Sequence, residues 1–370
     1  MPTATEDKAK AQARPSSELS TDKLLDMLYM MMLIRRFEER TMQSYMQQKI
    51  GGFCHIYIGQ EAVATGSIAA LNDEDPVITA YRDHGHALAR GMHPNYAMAE
   101  LFGKATGCAK GKGGSMHFFD KPRHMYGGHA IVGGQCPLGI GLAFATQYNK
   151  EDKTTVCYLG DGAINQGAFH EAMNMAAIWR LPILFVVENN MYSMGTHIAR
   201  GTAGADDLSK KAAAYDMRYA ECNGSDILEV YDTFKTEGDR ARGSTAKALG
   251  HDDDKGDGPC FINVKTYRYQ GHSMSDPQKY RTKDEVKQQQ EQDCINLLVN
   301  HLIEKGLANQ DKIDELDQKA KDAAQDSVKY AENAPEPSID ELYTDVFSQP
   351  FGYFKEGDLP AMIKNDNSGE

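Results

Sequence analysis

The chain has 370 residues, enough for about two to three ordinary domains. Asp and Glu outnumber Lys and Arg by 53 to 40, a net charge of −13, which argues against a non-specific nucleic-acid binder. Hydrophobic residues at 41% and charged residues at 25% describe a globular chain, and no run approaches the roughly eighteen apolar residues of a membrane span.

The seven cysteines are scattered and none forms a C-x-x-C pair. They predict neither a disulfide framework nor a zinc site and fit a reducing cytoplasm. The first twenty residues lack an apolar stretch and carry Glu6 and Asp7, so no secretory signal or transit peptide is expected.

Residues 1–18 are small, polar and charged and read as a disordered tail. From Ser20 or Thr21 as cap, Leu24, Met27, Leu28, Met31 and Ile34 recur at helical spacing, predicting a helix to about Lys49, where Gly51-Gly52 stops it. Eleven glycines lie between Gly103 and Gly141. They predict a loop-rich stretch with few regular elements, of the kind that wraps a ligand. Thr154–Leu159 then reads as a buried strand, Ala163–Arg180 as a helix and Ile183–Val187 as a second strand. That succession is a βαβ unit of a parallel sheet. Residues 226–237 look helical, and the acidic, glycine-rich stretch 238–258 reads as a solvated linker because its acids lack the spacing of a calcium loop. Phe261–Val264 is a further strand. Two amphipathic helices are expected over 283–333, separated near Gly306 and closed by Pro335 and Pro337, with 346–370 as a C-terminal tail.

The chemistry concentrates in the βαβ unit, over residues 155–195. Its first strand ends in Gly160-Asp161-Gly162; 26 residues later the second ends in Glu188-Asn189-Asn190. In an open parallel sheet both motifs fall beyond the carboxyl ends of strands, where ligands bind. Gly160 and Gly162 allow close backbone approach to a bulky anion, and a helix opening at Ala163 offers N–H groups to phosphate. Asp161 supplies a carboxylate oxygen, Asn190 an amide oxygen and Tyr192 a backbone carbonyl. With two phosphate oxygens and a water, these would complete a Mg²⁺ octahedron. Gly139-Ile140-Gly141, with Asp161 twenty residues on, mimics a dinucleotide fingerprint, but Gly133-Gly134-Gln135-Cys136-Pro137 precedes it where a strand should end. NAD binding is therefore not expected.

The paired motifs resemble the diphosphate site of thiamine-diphosphate enzymes. Gly51–His55, Gly59–Ala62, Tyr81–Gly85, Gly111–His117 and Tyr267–Pro277 follow in an order similar to the α subunits of pyruvate dehydrogenase E1 components, across about residues 20–345. The resemblance implies an α/β, parallel-sheet thiamine-diphosphate-binding fold over 19–345 with helical N- and C-terminal extensions. It implies thiamine diphosphate and Mg²⁺ as cofactors, with Asp161, Asn190 and Tyr192 on the metal and Gly160, Gly162 and Ala163 on the diphosphate. Tyr81 and Arg82 would lie along the cofactor, with the Arg82 guanidinium fork on a phosphate. Ala130 and Val132 would line it, and His55 and His272 would be catalytic at the substrate end, where an imidazole titrating near working pH could stabilise developing charge. His84 and His117 are weaker candidates.

The implied activity is the decarboxylation of pyruvate and transfer of the acetyl group to the lipoyl domain of a dihydrolipoamide acetyltransferase, E2. The alternatives are an acetoin or branched-chain 2-oxo acid E1 α subunit, or a non-catalytic Mg²⁺/diphosphate scaffold. No segment reads as the second α/β domain that would present the cofactor-activating glutamate. The resemblance assigns that residue to a separate β subunit in an α2β2 heterotetramer. Ser273 aligns with a regulatory phosphorylation serine of relatives, but Lys279 stands in the region of the second such serine, and phosphorylation control is not expected.

Overall fold

A computed structural model describes residues 14–243 and 256–345. Its helices and strands run in chain order as α1 (Thr21–Met46), α2 (Glu61–Ala69), β1 (Val77–Ala80), α3 (His84–Ala89), α4 (Pro94–Leu101), β2 (Met125–His129) and α5 (Gln135–Tyr148). They continue as β3 (Thr155–Gly160), α6 (Gly167–Trp179), β4 (Ile183–Asn189), β5 (Tyr192–Ser193), β6 (Thr196–His197), α7 (Ile198–Gly201), α8 (Ser209–Ala213), β7 (Arg218–Asn223) and α9 (Ile227–Ala241). Last come β8 (Cys260–Lys265), α10 (Lys283–Gln290), α11 (Cys294–Glu304) and α12 (Gln310–Asn333).

Six strands form one parallel sheet in the order β2-β1-β3-β4-β8-β7, and β5 and β6 make a small antiparallel hairpin. The expected α/β fold with a parallel sheet is therefore what the chain adopts. From β1 the chain passes to β2 on one side and to β3 on the other, so a topological switch point opens between β1 and β3. Strand side chains alternate between two apolar layers. Val156 and Tyr158 of β3 and Leu184 and Val186 of β4 join the core on one face; Cys157, Leu159, Ile183, Phe185 and Val187 join the core on the other. A third cluster packs α1 against α11 and α12 through Leu28, Met31, Leu298, Leu302 and Leu316. The methionine stripe of α1 is thus core packing, which flexible thioethers suit.

Several expectations change. The described end of the N-terminal tail is not disordered: Pro15–Glu18 forms a 3-10 turn, and the Ser16 backbone N–H and hydroxyl donate to Asp232 at 2.6 and 2.8 Å. Residues 1–13 lie outside the described residues. The glycine-rich stretch holds both β2 and the first half of α5. Gly139 does not break α5, because its bare Cα lets the helix rest on β3, where a Cβ would stand 3.2 Å from that of Cys157. The helix expected from Ala163 begins as a 3-10 turn over Ala163–Asn165, and extended backbone at Gln166 separates it from α6.

Of the stretch 238–258, residues up to Ala241 belong to α9 and Asp257 pairs with Arg240 at 2.9 Å; the linker between 244 and 255 lies outside the described residues. Three helices replace the two expected over 283–333. The additional break comes at Asp293, whose side chain caps α11 by accepting from the N–H groups of Ile295 and Asn296. The tail 346–370 also lies outside the described residues.

Candidate active site

The parallel register brings the carboxyl ends of the central strands level, with Gly160 beside Glu188 and Asn189 beside Lys265. Tyr81 follows β1, Ala130 follows β2, Asp161 follows β3 and Asn190 follows β4. Their side chains share a cavity of about 710 Å³ at that end of the sheet. All twelve sequence-predicted site residues line it: His55, Tyr81, Arg82, Ala130, Val132, Gly160, Asp161, Gly162, Ala163, Asn190, Tyr192 and His272. His84 and His117 do not. His84 is fully buried between the Glu38 carboxylate (Nδ1 at 3.0 Å) and Ser115 (Nε2 at 2.9 Å from Oγ). His117 Nδ1 lies 2.9 Å from the Gly128 carbonyl.

Glu38 and His84 build a support under the site. The Glu38 carboxylate, on α1, also accepts the Tyr57 N–H at 2.8 Å, and Ser115 Oγ accepts the His55 N–H at 3.0 Å. Burial alone would lower the His84 pKa, but Glu38 raises it above the ordinary histidine value. The pair is a buried charge-assisted contact holding the backbone of the His55 segment from both sides.

Three rings meet at one end of the cavity. His55 lies 4.7 Å from Tyr81 and 5.2 Å from His272 between ring centroids, and Tyr81 lies 5.5 Å from His272. Both imidazoles are driven neutral, first by burial and then by the Arg82 charge: His55 falls to about 2 and His272 to about 3. This corrects the expectation of histidines titrating near working pH. They act instead as neutral hydrogen-bonding groups, and His55 Nδ1 is buried without a partner.

A consequence for stability follows from the sign of these shifts. Below pH ~6.5 an unfolded imidazole takes up a proton that the folded one refuses, so these two histidines oppose folding increasingly as pH falls. Histidine NMR on the folded protein is expected to show neither ring titrating between pH 8 and 5.

Arg82 lines the cavity and is anchored from behind it. Nη1 donates to the Ile56 carbonyl and Nη2 to the His272 carbonyl, each at 2.7 Å, which engages two of the five N–H groups of a guanidinium. A buried guanidinium must satisfy its N–H groups, and these two carbonyls belong to the segments that carry His55 and His272. Arg82 thereby ties the two histidine segments together. Burial and the nearby Arg268 lower its pKa to about 10, which still leaves it charged.

The opposite end of the cavity is rich in oxygen. Asp161 is nearly buried, and burial pushes its carboxyl up to about 6. Ser193 Oγ donates to it at 3.4 Å, so the turn after β3 and the bend after β4 meet there. Gly162 permits this approach, since a Cβ there would lie 2.3 Å from Ser193 Oγ. Asn190 is oriented by donating its Nδ2 to Gln60 Oε1 at 3.0 Å, which turns its Oδ1 away from that contact.

No cluster of three or more His, Cys, Asp or Glu side chains able to hold a metal exists among the described residues. The candidate donors are one carboxylate, one amide oxygen and one carbonyl, a hard-oxygen set that suits Mg²⁺ completed by a ligand's own oxygens. Gln60 Nε2 and Gln135 Oε1, both on cavity-lining residues, are buried and unpaired like His55 Nδ1. Such orphaned groups in a cavity this large fit a polar organic cofactor.

Gln60, Gln135, Glu188 and Arg268 were not singled out from the sequence. Gln60 and Arg268 lie inside the quoted blocks, and Glu188 opens the Glu188-Asn189-Asn190 motif. The signal was position beside a motif residue rather than residue type. Glu188 accepts a hydrogen bond from the Tyr57 hydroxyl and lies 3.3 Å from His86 Nε2.

The sequence profile of the family described as "Dehydrogenase E1 component" matches residues 29–340. "Pyruvate dehydrogenase E1 component subunit alpha" of Rhizobium meliloti (strain 1021) is 48% identical over 317 residues, covering 85% of this chain and 87% of that protein. The protein of the same name from Rickettsia bellii (strain RML369-C) is 46% identical over 317 residues, covering 86% and 93%. "Pyruvate dehydrogenase E1 component subunit alpha-3, chloroplastic" of Oryza sativa subsp. japonica is 38% identical over 355 residues, covering 94% and 80%. With a profile match across most of its length and relatives this similar along nearly their whole chains, the chain belongs to the dehydrogenase E1 component family.

Proposed function

We propose that this chain is the α subunit of a pyruvate dehydrogenase E1 component, acting on pyruvate with thiamine diphosphate and Mg²⁺ and passing the acetyl group to a lipoyl group of an E2 partner. The observation that carries the reading is the single cavity at the sheet's carboxyl end. It joins an oxygen-rich end to a pair of neutral histidines and retains unpaired buried polar atoms. When bound, thiamine diphosphate supplies the electron sink for decarboxylation of a 2-oxo acid. The chain's own part is to bind and orient. Asp161, Asn190 Oδ1 and the Tyr192 carbonyl would hold the cation, and the 3-10 turn at Ala163 would offer N–H groups to the diphosphate. His55 and His272 present uncharged imidazoles to the substrate's oxygens. The relatives' names all specify pyruvate, which favours it over acetoin or branched-chain 2-oxo acids.

The reading includes a β subunit in an α2β2 assembly. The outer faces of α5 and α6 support it, because Leu138, Phe144, Tyr148, Ile178 and Trp179 are 40–77% exposed there. Ile131 and Val132 carry this apolar surface to the cavity mouth. A surface so apolar beside a site calls for a protein partner. All seven cysteines are free thiols, which suits a reducing cytoplasm, and we place the enzyme there; no helix among the described residues is long and apolar enough to cross a membrane.

The test is turnover of pyruvate by the purified chain with and without the β subunit, followed by reduction of an artificial electron acceptor. Activity is expected only with both chains, and faster with pyruvate than with 3-methyl-2-oxobutanoate. Robust decarboxylation by the single chain would sink the two-chain reading.

A further inference from the structure

The two segments that supply opposite ends of the cavity are joined through a buried tyrosine. Tyr57 lies two residues after His55, and Glu188 lies two residues before Asn190. The Tyr57 hydroxyl donates to Glu188 Oε1. His86 Nε2 lies 3.3 Å from the same oxygen and 3.4 Å from the hydroxyl. Tyr57 and His86 are fully buried, and Glu188 is 7% exposed on the cavity wall. Among the described residues Glu188 Oε2 has no hydrogen-bonding partner, so the whole anchorage falls on one oxygen.

The join is stiff. A tyrosine side chain has only two torsions, and the Tyr57 backbone N–H is itself held by the Glu38 carboxylate at 2.8 Å. The ring lies so close to the first turn of α3 that a Cβ on Gly85 would overlap it. Behind it, the His86 ring stands 5.0 Å from Tyr57 and 4.2 Å from Tyr158, whose hydroxyl lies 2.7 Å from Ser67 Oγ. Burial, and after it the Glu188 charge, raises the Tyr57 phenol well above its ordinary pKa, so the hydroxyl keeps its proton and remains a donor. Gln60 and Asn190 tie the same two segments a second time, at 3.0 Å.

His55 needs such support. Among the described residues its ring makes no hydrogen bond, and Nδ1 is buried without a partner. Apart from ring contacts with Phe53, Tyr81 and His272, its place in the cavity is set through the backbone of its segment.

We propose that Tyr57 is a positioning residue that acts through His55: clamped between Glu38 and Glu188, it fixes the reach from the oxygen-rich end of the cavity to the imidazole at the substrate end. The proposal rests on the pyruvate reading given above. It separates binding from turnover. Asp161, Asn190 and Tyr192 keep their places without the phenol hydroxyl, because Gln60 still orients Asn190, whereas a misplaced imidazole costs rate steeply.

The test measures pyruvate turnover by the complex with the β subunit, and thiamine diphosphate binding by calorimetry on the same preparations. Y57F is expected to bind thiamine diphosphate within about threefold of wild type while kcat falls about tenfold or more. E188Q, whose amide oxygen still accepts from the hydroxyl, recovers most of that kcat. Because Tyr57 acts through His55, adding Y57F to H55A costs less than about threefold further in the residual turnover. An equal loss in the H55A background overturns the proposal. So does wild-type kcat in Y57F, an E188Q as impaired as Y57F, or cofactor affinity that falls in step with turnover. If Y57F does not fold, E188M, which removes the acceptor, replaces it in both backgrounds. Failure of both variants to fold also overturns the proposal, since the contact then serves the fold and not the site. A wild-type complex that binds thiamine diphosphate but leaves pyruvate untouched is a different result, and it overturns the pyruvate reading and this inference with it.

Discussion

Asp161→Ala is expected to abolish cofactor-dependent turnover while leaving the unliganded chain as stable as before, or more stable. The two halves of that outcome have one cause. Asp161 is 2% exposed, and burial pushes its carboxyl up to about 6, so at pH 7 the empty site carries an ionised group under a desolvation penalty. A group whose folded pKa is raised favours the folded state most where it is protonated. Its contribution declines as pH rises from about 4, the unfolded value, to about 6. At pH 7 nothing is lost by deleting it, and the penalty disappears. Binding goes the other way, because the carboxylate is the only anionic donor among Asp161, Asn190 and Tyr192. A fall of at least roughly a hundredfold in kcat/KM, about 2.7 kcal/mol of transition-state stabilisation, should accompany loss of measurable thiamine diphosphate binding by calorimetry. The melting temperature of the unliganded protein should hold or rise. A variant that melts lower and still binds would show that Asp161 serves folding rather than the ligand.

Glu100→Ala is expected to cost at least about 3 kcal/mol in urea unfolding and to loosen the site with it. The Glu100 side chain, at the end of α4, is completely buried and gathers the glycine-rich loop around its carboxylate. Oε2 accepts the N–H groups of Ala109 at 2.7 Å and Gly111 at 2.9 Å; Oε1 accepts those of Gly113 at 2.8 Å and Gly114 at 3.1 Å. Hydrogen bonds to a charged acceptor are the strong kind, and truncation leaves four donors without it. Glu100→Gln tests the chemistry more sharply. An amide fills the same space but turns an NH₂ group toward at least one N–H, so it should recover less than half of the loss. The loop runs directly into Ser115, whose hydroxyl accepts the His55 N–H. Faster hydrogen exchange over 107–117 and a raised KM should therefore appear together, and exchange unchanged from wild type would refute the role.

The strand–helix–strand pattern around residues 155–189 was legible because it depends on local chemistry: apolar runs of strand length, then small and polar residues at their ends. The site residues were legible for the same reason, since a parallel sheet delivers whatever follows its strands to one edge. What the sequence concealed depends on contacts between distant segments. β2 contains two adjacent glycines and is a strand because β1 pairs with it. α5 survives Gly139 because β3 leaves a space for a helix without a side chain there. Arg82 reads as a phosphate ligand by residue type, and nothing along the chain announces that it also binds the carbonyls of Ile56 and His272. The neutral histidines follow from burial beside two guanidinium groups, and no spacing along the chain announces that. Glu100 sits unremarked within α4, and its four partners lie 9 to 14 residues away.

The family resemblance presents α1 as a helical extension of the sheet domain, but Glu38 alters what can be removed. Its carboxylate holds the Tyr57 N–H and His84 from the side opposite the cavity, so the first long helix is a buttress of the reaction chamber. A trimmed version of this protein reduced to its six strands and their covering helices would keep the ligand-facing residues and lose the wall they lean on. Grafting the site into another parallel-sheet scaffold carries the same requirement: an acidic side chain must arrive from behind, on an element that the chain's linear order places well before the first strand.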